Sequence, residues 1–273
     1  MSAGEDTRGV GPLLLRPRWI AGHVLALVLV VSFVNLGFWQ LRRLDHRRQV
    51  NATIDARSHL PPEALATALK PGEAPREFLP VSATGVYDPA HEVLLRGRSL
   101  GGMPGFNLLT PLVLDASAGV WEGSAILVER GWVPYDEDAV PVTAALPPAG
   151  TVTLVGELHA PQSPPTGPLA GLAAHDPPTG PLVQSYYVDV TRLAPQMPYE
   201  LVPAYLILRQ VQPVSPRTLP QPLPLPETDE GPHLGYAIQW FGMALVGIVG
   251  YFFLIRSTLK QNRRRAESSR RRS

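Results

Sequence analysis

The chain has no cysteine. Disulfides, thiol nucleophiles, iron–sulfur clusters and cysteine-type zinc sites are excluded, as is a copper chaperone built on cysteine ligands. Any domain must fold without covalent cross-links. Charge of one sign is also scarce: 24 Lys and Arg stand against 23 Asp and Glu, a net +1, so no overall field points to nucleic acid. Catalytic signatures are missing as well. There is no P-loop, HExxH or GxSxG, and no GxGxxG after a strand. The seven histidines, His23, His46, His59, His91, His159, His175 and His233, never pair at i, i+3 or i+4, so no helical two-histidine metal site is present. Nothing in this inventory argues for an enzyme.

Charge is absent from two long runs. Trp19–Leu41 is 23 residues without Asp, Glu, Lys or Arg, and Leu234–Ile255 is 22. Roughly 20 apolar residues in a helix span the ~30 Å hydrocarbon layer, so each run predicts a transmembrane helix. Two such runs at opposite ends would be hard to bury in so small a domain. The first run exceeds the roughly 7–15-residue core of a signal peptide, and no small-x-small cleavage site follows it, which predicts an uncleaved anchor.

The flanks predict orientation. The C-terminal tail carries Arg256, Lys260, Arg263, Arg264, Arg265, Arg270, Arg271 and Arg272, opposed only by Glu267; the N-terminal tail carries Arg8, Arg16 and Arg18. Glu227, Asp229 and Glu230 precede the second run. Arg42, Arg43, Arg47 and Arg48 conflict, because they follow the first run on the expected outer side. The tails still carry the excess. The expected plan is a multi-pass protein of the plasma membrane with both termini cytoplasmic. Residues 1–18 form a tail, 19–41 helix one, 42–233 an extracytoplasmic β-rich domain, 234–255 helix two, and 256–273 a basic tail. The four arginines then need a use that outweighs their topological cost.

Between the helices, Leu41–Arg57 mixes charged and apolar residues at helical spacing, which extends the first helix past the bilayer. Pro61–Lys70 predicts a short helix on a Pro-rich turn. Strand-like runs follow at Pro80–Tyr87, His91–Arg96, Asn107–Leu114, Ala125–Arg130, Thr151–His159, Ser185–Val190 and Tyr205–Gln212, separated by Gly or Pro turns. Seven short strands with little helix predict an antiparallel β-rich domain, a small sheet or open barrel, within an α+β membrane protein. Of 31 prolines, 20 lie between Pro141 and Pro232. Pro164-Pro165-Thr166-Gly167-Pro168-Leu169 recurs 13 residues on as Pro177–Leu182, too close for a solenoid unit, so 160–183 reads as a Pro/Gly-rich loop. Six prolines in Pro213–Pro226 predict a semi-rigid linker.

Three places are chemically unusual. On a continuous helix Trp39 neighbours Arg42 and Arg43. They read either as an interfacial anchor or as a contact for an anion or partner, since two guanidinium groups can hold carboxylates such as haem propionates. With a helix starting near Pro232, His233, Tyr236 and Trp240 share a face. They read as an aromatic belt, or as a neutral His backed by aromatics and able to ligate iron. Gly242, Gly247 and Gly250 below them admit close approach of another helix, from this chain or from a partner. Glu129-Arg130-Gly131-Trp132-Val133-Pro134 reads as a strand end: Gly turns, Trp packs on the core, and Glu129 and Arg130 are solvated.

Five stretches taken together resemble the Surf-one (surfeit locus one) family of cytochrome c oxidase assembly proteins. They are Leu36-Gly37-Phe38-Trp39-Gln40-Leu41-Arg42-Arg43; Pro80-Val81 through Gly85-Val86-Tyr87-Asp88; Gly105-Phe106-Asn107-Leu108-Leu109-Thr110-Pro111-Leu112; Val128–Pro134; and His233-Leu234-Gly235-Tyr236-Ala237-Ile238-Gln239-Trp240-Phe241. They occur in order, between two terminal helices in the matching places. Gly231-Pro232 departs from the pattern, in which Asn is common, and so does the Pro-rich stretch Ala160–Val183. The resemblance implies a non-enzymatic role in maturing haem-copper oxidase around subunit I, at or near insertion of haem a. It implies transient haem a binding, with His233 as the ligand, Tyr236 and Trp240 against the ring, and Arg42 and Arg43 near the propionates. Trp39, Gln40, Gly242, Gly247 and Gly250 become candidates for contact with subunit I, neighbouring oxidase subunits or a respiratory supercomplex. A long Pro- and Arg-rich chain of this kind suits an actinobacterial source, and the resemblance implies that in some actinobacteria such a protein stays attached to the oxidase. A stably bound accessory subunit without haem of its own is the alternative.

Overall fold

The computed structural model describes residues 14–168, 170–226 and 228–270, without the side chains of Ala266, Ser269 and Arg270. Arg8, Arg271 and Arg272 of the flank-charge count, Glu227 before the second helix, and Leu169 of the repeat lie outside the described residues. The chain divides into two compact units, residues 1–51 with 229–273, and residues 52–228.

The first unit contains helix α1 (Pro17–Arg57, 41 residues), which runs on beyond residue 51, and helix α4 (His233–Arg270, 38 residues). Both are long and apolar enough to cross a membrane. At 1.5 Å per residue, α1 is about 60 Å long, twice the hydrocarbon thickness, so it continues well past its uncharged run. The helices pack antiparallel. His23 meets Tyr251, Val30 lies at Gly247, Phe33 stacks on Trp240, Phe38 packs edge-on to Phe241, and Gln40 bonds His233. Gly37, Gln40 and Leu44 are buried along α1, and Ala237 and Ala244 along α4. Spacings of three, four and seven keep these residues on one helix stripe.

The second unit is an eight-stranded sheet: β1 (Glu63–Ala64), β2 (Leu79–Tyr87), β3 (Val93–Leu100), β4 (Met103–Leu114), β5 (Ala125–Pro134), β6 (Thr151–His159), β7 (Gln184–Ser185) and β8 (Leu201–Gln212). The order is β1-β2-β6-β8-β5-β4-β3-β7. The end of β2 also pairs with β4 through Gly85, Val86 and Tyr87, which closes β2-β6-β8-β5-β4 into a barrel. Gly85 permits that closure, because a Cβ there would sit 2.1 Å from the Val113 carbonyl oxygen. Most pairings are antiparallel, but β5–β8, β1–β2 and β3–β7 are parallel. Alternation in β2 sends Leu79, Val81, Ala83 and Tyr87 inward to a core with Leu112, Leu114, Ile126, Val128, Leu154, Leu158 and Leu206.

Several expected elements differ. Ser185–Val190 is a strand only at Gln184–Ser185. Asp189 then accepts a bond from the Arg192 N–H and caps the helical turn α3 (Val190–Leu193). Pro61–Lys70 holds the two residues of β1 before the single turn α2 (Leu65–Ala68). His91 belongs to a 3₁₀ turn, Pro89–His91, capped by Asp88, and β3 starts at Val93. Nor does β5 stop at Arg130. It runs to Pro134 across a bulge, since Glu129 pairs Leu109 and Gly131 pairs Leu108, leaving Arg130 as the extra residue.

The Pro-rich stretch after β8 is fastened to the barrel. Gln221 and Trp132 exchange both backbone hydrogen bonds at 2.8 Å, Arg209 donates to the Leu223 and Pro224 carbonyls, and Arg217 to that of Thr143. Gly131, at φ 146°, leaves room for this strap, as its Cβ would lie 2.4 Å from the Gln221 oxygen. In the second copy of the repeat, Arg192 donates to the Pro177 and Gly180 carbonyls, and Gln196 makes a bond to each backbone group of the buried Leu182.

Candidate functional site

In the helical unit the polar groups collect where α4 begins. The Pro232 carbonyl accepts the first helical bond, from Tyr236, so Pro232 stands one position before the helix rather than at its first residue. His233 is half-buried, and its Nδ1 lies 2.9 Å from Gln40 Oε1. An amide oxygen only accepts, so Nδ1 is the donor; in the neutral imidazole this tautomer puts the lone pair on Nε2. Gly231, at φ 65°, runs beside the ring, where a Cβ would lie in ordinary contact with Nε2 at 3.6 Å. Gln40 is itself buried, so the partner that sets the tautomer is held in place.

Around this pair the sequence-predicted residues separate. Tyr236 and Trp39 are about half exposed. The Trp240 ring is taken up by Phe33, with centroids 5.7 Å apart. Arg42 and Arg43 are exposed and make no hydrogen bond or ion pair among the described residues. Arg47 bonds the carbonyl and carboxylate of Asp229, and Arg48 makes a two-pronged pair with Glu230 at 2.7 and 2.9 Å. That hydrogen bond holds the Glu230 carboxyl below its ordinary range. Two of the four conflicting arginines therefore tie the entry of α4 to α1. Gly37 is the glycine of closest approach: a Cβ there would meet the Phe241 ring at 2.6 Å. Gly247 comes within ordinary contact of Val30, and Gly242 and Gly250 meet nothing within 4 Å.

In the barrel, three of the motif stretches converge. Arg130 and Glu92 are buried as a pair at 3.1 Å, so the expectation of a solvated Glu129–Arg130 is corrected. The bulge turns consecutive side chains inward: Arg130 also reaches the Ala145 carbonyl at 2.6 Å, and Glu129 accepts from Asn107 at 2.7 Å. Thr110 donates to Glu92 at 2.6 Å, and the Val142 N–H donates to the other oxygen of Glu92. Arg130 lies over the Tyr87 ring at 5.4 Å. Burial pulls the guanidinium below its ordinary value against the opposing pull of Glu92, and pushes the Tyr87 phenol well up.

A second network had no sequence reading. His159 Nδ1 lies 3.1 Å from Glu77, Nε2 lies 3.0 Å from Glu157, and Glu157 also accepts from Arg209 at 2.9 Å. Burial disfavours the imidazolium, but the hydrogen bonds to Glu157 and Glu77 outweigh it and raise the His159 pKa to about 9. Burial opposes ionisation of Glu77 and Glu157, and their bonds with His159 lower both nonetheless. One signal was available: Glu157 and His159 are two apart in a strand and so share a face.

The sequence model of the SURF1 family matches residues 27–245, which hold all eight strands, most of α1 and the start of α4. The chain belongs to the SURF1 family. An uncharacterized SURF1-like protein of Mycobacterium tuberculosis is 32% identical over 265 residues, covering 94% of this chain and 90% of the relative. A SURF1-like protein of Rickettsia felis is 26% identical, covering 87% of this chain and 98% of the relative. The yeast cytochrome oxidase assembly protein SHY1 is 29% identical over 111 residues, covering 40% of this chain and 27% of that protein. The mycobacterial likeness fits the actinobacterial source expected for this SURF1 chain.

Proposed function

We propose that this SURF1 protein is an assembly factor for haem-copper cytochrome c oxidase, acting at or near insertion of haem a into subunit I. Membership of the family and the yeast relative SHY1, a cytochrome oxidase assembly protein, support the oxidase. The observation that carries the haem reading is the His233–Gln40 bond. A metal-ligating histidine commonly has its second ring nitrogen engaged, which fixes the tautomer and the ring orientation. Haem a, when bound, supplies an iron that takes a neutral imidazole nitrogen. His233 Nε2 offers the lone pair, Gln40 holds the ring, and the unpaired Arg42 and Arg43 suit the propionates. Tyr236 stays free to cover a ligand, whereas Trp240 is committed to Phe33.

In this reading α1 and α4 cross the plasma membrane, both termini are cytoplasmic, and the barrel unit is extracytoplasmic, where it grips the oxidase. The role is non-enzymatic. Deleting the gene tests it: haem a per oxidase should fall while apo subunit I persists, and unchanged haem a occupancy would contradict insertion. Stoichiometric co-purification with the oxidase, with no Soret band of its own after haem a is supplied, would assign the chain instead as an accessory subunit.

A further inference from the structure

The barrel unit carries a cavity of about 430 Å³ between the end of β8 and the Pro-rich strap. That volume lies within the usual range of small-molecule sites. Its walls are mostly apolar, with Leu208, Val211, Val214, Leu219 and Pro220 among them. Three arginines line it as well: Arg130, Arg209 and Arg217. The strap that roofs it is held by bonds from Arg209 and Arg217 and by the Gln221–Trp132 bridge, so the cavity is built rather than left between loose loops.

Two of the lining residues hold a buried donor that is unspent. Tyr87 is 6% exposed, and its hydroxyl has no hydrogen-bond partner among the described residues. Arg209 Nε is also buried and unpartnered, although the rest of that guanidinium is engaged. Buried polar groups are rarely left unsatisfied, and an orphaned pair in one cavity calls for an acceptor. Charge decides which acceptor. Arg130 is matched by Glu92, and Arg209 by Glu157, whose other neighbours are His159 and then Glu77. Arg217 is exposed, and among the described residues its side chain bonds only the Thr143 carbonyl. With His159 charged, these groups leave one positive charge over. Burial keeps the Tyr87 phenol protonated, and so a donor, across the working pH range.

We propose that this cavity binds a small monocarboxylate with an apolar body, such as a medium-chain fatty acid. The carboxylate meets Tyr87, Arg209 and Arg217, and the chain lies on Leu208, Val211 and Val214. A single surplus charge suits a carboxylate better than a phosphate dianion, and the apolar wall suits an acyl chain. The site is separate from His233 and does not depend on haem binding.

The test uses the full chain in phosphatidylcholine nanodiscs, titrated with 8,8,8-trifluorooctanoate and read by fluorine NMR against empty nanodiscs. Saturable binding above the empty-disc background is expected. Arg217→Gln should weaken it about tenfold, the size of one charge-assisted hydrogen bond. Tyr87→Phe should weaken it severalfold, and Val214→Trp, at an exposed wall position, should block it. Trifluorooctanol and octyl phosphate should bind at least tenfold more weakly than the carboxylate. Binding no greater than to empty discs would overturn the proposal. So would affinity unchanged in Arg217→Gln and Val214→Trp, or preference for the phosphate or the alcohol.

Discussion

Arg130 and Glu92 are each under 10% exposed and depend on one another. Removing one member of such a buried pair strands the other's charge, at a cost of roughly 3–5 kcal/mol. Glu92→Ala should lower the chain's stability by about that amount in urea unfolding followed by tryptophan fluorescence; a loss below about 1 kcal/mol would mean that Arg130 finds water. His159 gives a pH signature. Its folded pKa of about 9 stands above the ordinary 6.5, so its contribution is full below about pH 6.5 and is lost as pH rises through about 9. Glu77 and Glu157 are lowered, so theirs is full above the ordinary 4.5 and fades in acid. The urea midpoint should therefore be highest between about pH 4.5 and 6.5 and fall toward pH 10, and His159→Gln should flatten the alkaline fall. At this scale the sequence shows which residues are unusual but not whom they face. Arg130 reads as solvated because a strand ending at 130 would free it, whereas the bulge carries the strand on and turns it inward.

Helix α1 meets α4 along Gly37, where added bulk would strike the Phe241 ring. Overpacking of this kind costs about 1–3 kcal/mol. The chain lacks cysteine, so a Val30→Cys, Gly247→Cys pair reports the register cleanly. That disulfide should form in the parent background and drop severalfold with Gly37→Leu. Gly242→Leu should leave it unchanged, since nothing lies within 4 Å of that position. The two helices are legible because twenty-odd uncharged residues have few other readings, and six strand runs are legible because apolar and β-branched residues gather between Gly or Pro turns, with clear alternation in β2. Ser185–Val190 misleads because Asp189 caps a helical turn, a local bond that overrides β-branched composition. Proline content alone describes Pro213–Pro226 as a spacer, and only the partner strand reveals the Gln221–Trp132 bridge.

Over the whole molecule, the charge conflict after α1 is partly resolved by the Arg47–Asp229 and Arg48–Glu230 pairs; of the four arginines, Arg42 and Arg43 have no partner among the described residues. Surface pairs contribute little energy, so their value lies in fixing the entry of α4 beside Gln40. Strand order and barrel closure were not legible, since parallel β5–β8 pairing joins segments about 75 residues apart and no local pattern encodes it. The proposed topology has a direct check: a reporter inserted in the exposed turn at Gly150 should be active only outside the cytoplasm, and one after Ser273 only inside. A haem a titration of the full chain reaches the central claim most directly. The parent protein should show a saturable Soret shift, His233→Ala should lose it, and Gln40→Leu should weaken it about 10- to 100-fold, as loss of a ligand-orienting partner does. Spectra of His233→Ala indistinguishable from those of the parent would contradict haem binding at this site.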